Sequence, residues 1–192
     1  MRIRIAHLAA RMIAEDGISD YGLAKRKAAR QAGAPDSRNL PTNVEIEEAL
    51  RSYQALYQAD EHPERLLRLR RLALEMMRLF ERFDPHLTGS VLSGGVGRHA
   101  DIHLHLYTDD VKELELFLLN HNVPFRMRET RVWSGGTGVV APVFQISTTD
   151  AEYTVTVLRP QLLRQPVRVS ADGRPLERAA IASVESLVAD NA

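Results

Sequence analysis

Pro85-His86-Leu87-Thr88-Gly89-Ser90-Val91-Leu92-Ser93-Gly94-Gly95-Val96-Gly97-Arg98-His99-Ala100-Asp101-Ile102-His103-Leu104-His105-Leu106-Tyr107 is the stretch on which the fold turns. Before it, apolar residues recur every three or four positions, the period of helices; within and after it they alternate, the period of strands. A boundary is therefore expected between a helical region, 1–84, and an α/β domain, 85–192. From Ala100 to Tyr107, the residues Ile102, Leu104 and Leu106 fall on one face of a strand, while Asp101, His103 and His105 fall on the other. His99 joins the polar side if the strand begins early. The apolar face reads as core.

Working outward toward the N-terminus, Ile5, Leu8, Ala9, Met12 and Ile13 form the stripe of an amphipathic helix, with Gly17 as its stop. Ser19 is a candidate cap for a second helix, which would run to about Ala32 and end at Gly33 and Pro35. Thr42 and Glu45 have the spacing of a capping box, and a third helix follows with Ile46, Ala49, Leu50, Tyr53, Leu56 and Tyr57 inward. A fourth, after Pro63, buries Leu66, Leu69, Ala73, Met76, Phe80 and Phe83; its arginines, Arg65, Arg68, Arg70, Arg71, Arg78 and Arg82, either face a phosphate backbone or substrate or, as is commoner, pair with Glu64, Glu75 and Glu81 at helical spacing.

In the second half, Leu87 to Leu92 reads as a strand, Ser93 to Gly97 as a glycine loop and Val111 to Asn120 as a helix. Arg126 to Trp133, Val143 to Thr148 and Tyr153 to Leu158 read as further strands. Thr149-Asp150-Ala151 reads as a hairpin turn, and about Arg178 to Val188 as a last helix. Leu92-Ser-Gly-Gly-Val-Gly97 and Trp133-Ser-Gly-Gly-Thr-Gly138 echo each other, but six residues are too few for a duplicated domain. Glycines between strands more often serve turns needing positive φ.

Twenty-five basic residues balance twenty-five acidic ones, which removes any long-range field toward nucleic acid or an anionic membrane. Cysteine is absent, so disulfides, thiolate metal sites and thiol nucleophiles are excluded. Charged residues interrupt the N-terminal stretch, and no later run reaches membrane-spanning length, so a cytoplasmic protein without a membrane partner is expected. Ser93, Ser134 and Ser147 have no Ser-His-Asp spacing around them.

The polar face of the His99 to Tyr107 strand suits a divalent metal held by Asp101, His103 and His105; the alternative is a solvated sheet face with incidental histidines. Thr88-Gly89-Ser90, a glycine-containing spacer and then Asp101-Ile102-His103-Leu104 resemble the opening of the polymerase-β-type nucleotidyltransferases, across roughly Pro85 to Leu158. The resemblance implies an α+β protein, with the helical region packed on a nucleotidyltransferase-like mixed-sheet α/β domain. It implies that Gly89 and Ser90 meet the phosphates of a nucleoside triphosphate, and that Asp101 is the first metal ligand. His103 stands where that family has its second aspartate. The equivalent of its third acidic strand offers Thr154 and Thr156, with Glu152 at the edge.

A neutral imidazole cannot bridge two hard cations as a carboxylate does. The expected protein is therefore nucleotidyltransferase-like and catalytically degenerate, binding nucleotide or a protein partner, itself included. One alternative is an active enzyme using Asp101, His103 and Glu152 with magnesium, manganese or zinc. Another is a DNA-binding regulator using Lys25, Arg26, Lys27 and Arg30, although a recognition helix after Gly33 would run into Pro35 and Pro41.

Overall fold

Small side chains set the packing of the first three helices. α1 (Arg2–Glu15) buries Ala6, Ala9, Ala10 and Ala14 between Ile5 and Ile13; α2 (Tyr21–Gln31) buries Ala24, Ala28 and Ala29; α3 (Asn43–Tyr57) buries Ile46, Ala49 and Leu50. Alanine surfaces let helix backbones approach closely, and these residues form one continuous cluster. The computed structural model describes residues 1–16, 18, 21–35, 39–57, 61–169 and 175–190. Gly17 and Ser19, the expected stop and cap, lie outside them.

The capping box forms as the spacing requires. The Thr42 amide donates to Glu45 at 2.6 Å, and the Glu45 amide donates to the Thr42 hydroxyl at 3.3 Å. Arg2 adds a two-pronged contact to the same carboxylate at 2.8 and 2.7 Å. Chiefly through Arg2, with Thr42 contributing, the Glu45 carboxyl is brought down to about 2.

The chain divides into two compact units, Met1–Leu66 with Gly94–Ala100, and Leu67–Ser93 with Asp101–Ala192. The division therefore falls inside α4 (Glu61–Leu79) and not at residue 84. The reason is that the later turns of α4 share a core with the sheet. The Tyr153 hydroxyl donates to the Leu72 carbonyl at 3.4 Å, and Phe80, Phe83 and Phe117 stack at 5.4 to 6.5 Å. The glycine segment goes instead with the first unit: the Gln54 amide donates to the Val96 carbonyl, and Gly97 lies against the backbone of Ile13.

The second unit is built on a mixed six-stranded sheet of order β3-β4-β5-β2-β1-β6, so its α+β character is as expected. The strands are β1 (His86–Thr88), β2 (Ile102–Tyr107), β3 (Phe125–Ser134), β4 (Thr137–Ser147), β5 (Glu152–Leu158) and β6 (Ala179–Ala180). β2 runs parallel to β5 and antiparallel to β1. Leu87, Ile102, Leu104, Leu106, Val155, Val157, Phe144 and Ile146 are all buried. α6 (Val111–Asn120), capped by Asp110 accepting from the Glu113 amide, buries Leu114 and Leu118.

Several sequence expectations need correction. Leu87 to Leu92 is not one strand: β1 ends at Thr88, Gly89 turns the chain at φ +75°, and a short helix, α5, runs Ser90–Ser93. β2 begins at Ile102, because the residues before it belong to the glycine segment. The two glycine motifs have unlike backbones. Gly135 and Gly136 both have positive φ and close β3 and β4 as a two-residue hairpin, whereas Ser93 to Gly97 follows a helix. The strand β6 was not foreseen, and α7 starts later than expected, at Ile181–Ala189.

Among the described residues the arginines of α4 and of the turn after it do not take Glu64, Glu75 and Glu81 as ion-pair partners. Arg65 pairs with Glu61, Arg68 with Asp150, Arg78 with Glu185 and Arg82 with Glu113.

A side chain at Gly97 would place its Cβ 2.4 Å from the Ile13 carbonyl oxygen, a backbone atom that cannot swing aside. Gly97→Ala is therefore expected to destabilise the chain by about 2 kcal/mol, read as a lower midpoint in urea unfolding with the slope unchanged.

Candidate functional site

Strand register decides which polar residues share a surface, because residues directly paired across a sheet project to the same face. Thr88 pairs with His103, His103 with Thr154, Thr154 with Gln145 and Gln145 with Arg126. One step along, His86 pairs with His105, and the row continues through Thr156 and Val143 to Arg128. The polar residues of β2 are thus part of a face that crosses five strands.

Asp101 and Glu152 stand abreast where β2 and β5 begin, one position before the paired Ile102 and Tyr153. β1 runs antiparallel to β2, so its last residue delivers Gly89 to the same end of the sheet. A Cβ on Gly89 would lie 3.4 Å from the Cβ of His103. Gly89, Ser90, Asp101, His103 and Glu152, the residues singled out from the sequence, therefore meet at one sheet end. His105 lies deeper.

Arg70 holds this end from below. The residue is 7% exposed, and its guanidinium donates to the carbonyls of Val91 and Leu92 at 3.1 and 3.0 Å, the last turn of the short helix begun by Ser90. Desolvation lowers its pKa, since no carboxylate faces it. The sequence groups Arg70 with the arginines expected to face phosphate or pair with glutamates. The available signal was its spacing from Ala73, Leu74 and Met77, which puts it on the buried stripe.

Burial raises the pKa of Asp101; the positive potential of His103 opposes this and the negative charge of Glu152 adds to it. Burial lowers that of His103, with Asp101 resisting and Arg128 assisting. His105 is pushed down to about 4 by burial, with Arg178, His103 and His86 adding to the effect. Its Nδ1 and the Thr88 hydroxyl are buried without hydrogen-bond partners among the described residues.

The metal set expected from the sequence does not assemble. Asp101 and His105 are four residues apart on an extended strand that rises about 3.3 Å per residue, so their attachment points are about 13 Å apart. Among the described residues no three His, Asp or Glu side chains gather to hold a metal ion. What remains at the sheet end is two hard oxygen donors, Asp101 and Glu152. Two carboxylates side by side could share one divalent cation. Thr154, and not a carboxylate, pairs with His103.

The other candidates have structural partners. The Ser147 hydroxyl donates to Glu152, Ser134 donates to Gln165 at 2.8 Å, and the Trp133 ring covers Gly138. Beyond the polar row, Tyr107 accepts from Arg178 at 2.7 Å; the same guanidinium also donates to the Leu162, Leu163 and Gln165 carbonyls. In the first unit Lys25 is half-buried, while Arg26, Lys27 and Arg30 are exposed on α2. No described helix is long and apolar enough to cross a membrane. Comparisons with protein-family models, with curated proteins and with solved structures give no match.

His105 generates a signed pH dependence. Its folded pKa is below its unfolded one, so between pH about 6.5 and 4 the unfolded chain binds the extra proton and stability falls as pH falls. The full effect is at most about 3 kcal/mol. Urea unfolding of the wild type at pH 7.5 and pH 5 is expected to show the loss, and His105→Gln is expected to reduce the difference between the two pH values.

Proposed function

We propose that the sheet end carrying Gly89, Ser90, Asp101, His103 and Glu152 binds a nucleoside triphosphate with one divalent cation, in a nucleotidyltransferase-like domain whose catalytic carboxylate set is incomplete. The observation that carries this reading is the pair Asp101 and Glu152 standing abreast beside the Gly89-Ser90 turn. Two carboxylates side by side repel, and the raised pKa of Asp101 reflects that repulsion on top of burial. A divalent cation shared with phosphate relieves both costs.

Gly89 supports the reading because its left-handed backbone, φ +75°, is one that residues with a side chain rarely adopt. Ser90 offers a hydroxyl at the same turn. His103, held toward its neutral form, supplies a hydrogen-bonding nitrogen without charge. Phosphoryl transfer through two bridging metals needs more anionic oxygen than Asp101 and Glu152 provide, which argues for binding without efficient transfer.

A thermal-shift series with ATP, CTP, GTP and UTP, each with magnesium or manganese, tests the proposal. A nucleotide at about one hundred times its Kd is expected to raise Tm by about 5 to 10 °C, and Asp101→Asn to abolish the rise. If no nucleotide shifts Tm under either metal, the proposal is overturned. Transfer of label from the bound nucleotide to an acceptor, lost in Glu152→Gln, would replace the degenerate reading with an active Asp/His/Glu enzyme.

A further inference from the structure

The helix α3 does not bury the whole of its apolar stripe. Leu56 and Tyr57, which its periodicity places inward, are 76% and 72% exposed. They line a cavity of about 370 Å³ between α1 and α3, together with Leu8 and Tyr53, which are partly buried against the core of the first unit. The Tyr53 and Tyr57 rings lie 4.7 Å apart with their planes tilted by 35°, so they form one aromatic wall.

Arg4, His7, Leu8 and Arg11 recur at i, i+3, i+4 and i+7, so one stripe of α1 supplies the opposite wall. Its charges are not equivalent. Arg11 donates to Glu15 at 3.0 Å and the Tyr53 hydroxyl donates to the same carboxylate, which balances the Arg11 end of the cavity. Arg4 and His7 have no ion pair among the described residues. That alone carries nothing, since exposed Arg71, Arg131 and Arg159 have none either. What distinguishes Arg4 is its place on the wall of an apolar cavity, where an anion that meets the guanidinium would also cover Leu56 and Tyr57.

We propose that this cavity binds a small planar aromatic carboxylate, with its ring against Tyr53 and Tyr57 and its carboxylate on Arg4. The size favours a small molecule, because cavities that hold such ligands run from about 300 to 1,000 Å³. A docked helix would need apolar anchors along several turns. Here Leu8 stands between Arg4 and Arg11, which are about 10 Å apart along α1, a span that suits one or two fused rings. The flat faces of the tyrosines suit a planar ring, and a guanidinium binds both oxygens of a carboxylate at once. The site lies wholly within the first unit and does not rest on the nucleotide reading of the sheet end.

The test is a saturation-transfer NMR titration of the full chain with benzoate and naphthoate, each beside its uncharged counterpart, benzamide and naphthamide. The carboxylates are expected to bind saturably, and the amides at least about tenfold more weakly. Arg4→Gln is expected to remove the preference for the carboxylate, and Tyr57→Ala to weaken acid and amide alike by about fivefold. Arg71→Gln, away from the cavity, is expected to change neither. Both cavity variants alter exposed side chains, and their Tm checks folding.

Absence of saturable binding by both carboxylates, or equal binding of acid and amide, would overturn the site. So would unchanged binding in Arg4→Gln or in Tyr57→Ala. Concentration-dependent dimers of the ligand-free chain in sedimentation velocity, lost in Leu56→Ser/Tyr57→Ser and undisturbed by naphthoate, would show that a second copy covers these residues and would overturn the ligand reading. None of these outcomes bears on the nucleotide proposal, whose readout is the Tm rise lost in Asp101→Asn.

Discussion

Strand β2 is hydrogen-bonded on one side to antiparallel β1 and on the other to parallel β5, and this double pairing leaves its alternation no freedom of register. A slip of one residue would bring Asp101, His103 and His105 into the core and push Ile102, Leu104 and Leu106 out. With the register held, the opposite orientations of β1 and β5 bring the end of one and the start of the other to the same place. Gly89 and Glu152 are far apart in sequence, and they become neighbours of Asp101 for this reason alone.

The local parts of the fold were legible. The capping box of α3, the alternation of β2, the helix α6 from Val111 and the hairpin turn before β5 depend on residues within a few positions of each other, and their chemistry is written in those residues. Features set by distant partners were not. The break after Thr88 could not be read, because Ser90 to Ser93 is apolar enough for a strand and turns helical beside Arg70, whose side chain holds its carbonyls. β6 is two alanines long and exists because β1 has an unpaired edge.

The site was legible in its membership and not in its geometry. Gly89, Ser90, Asp101, His103 and Glu152 were all identifiable by residue type and order, and the sheet gathers them. His105 was grouped with them by spacing alone. Its separation from Asp101 follows from strand rise, and its burial with Thr88 follows from neighbours that periodicity does not reveal.

β1 lies between β2 and β6, so its outer edge waits for a segment made long after β1 itself. During synthesis, β1, β2 and β5 are complete well before Ala179 and Ala180 emerge. Until then the β1 edge presents its free backbone groups to any passing strand. The two alanines close that edge with little side chain to obstruct them, and Arg178 immediately before them is tied to Tyr107 and three carbonyls. The two alanines act as a latch on β1, and until they dock the sheet carries an open edge.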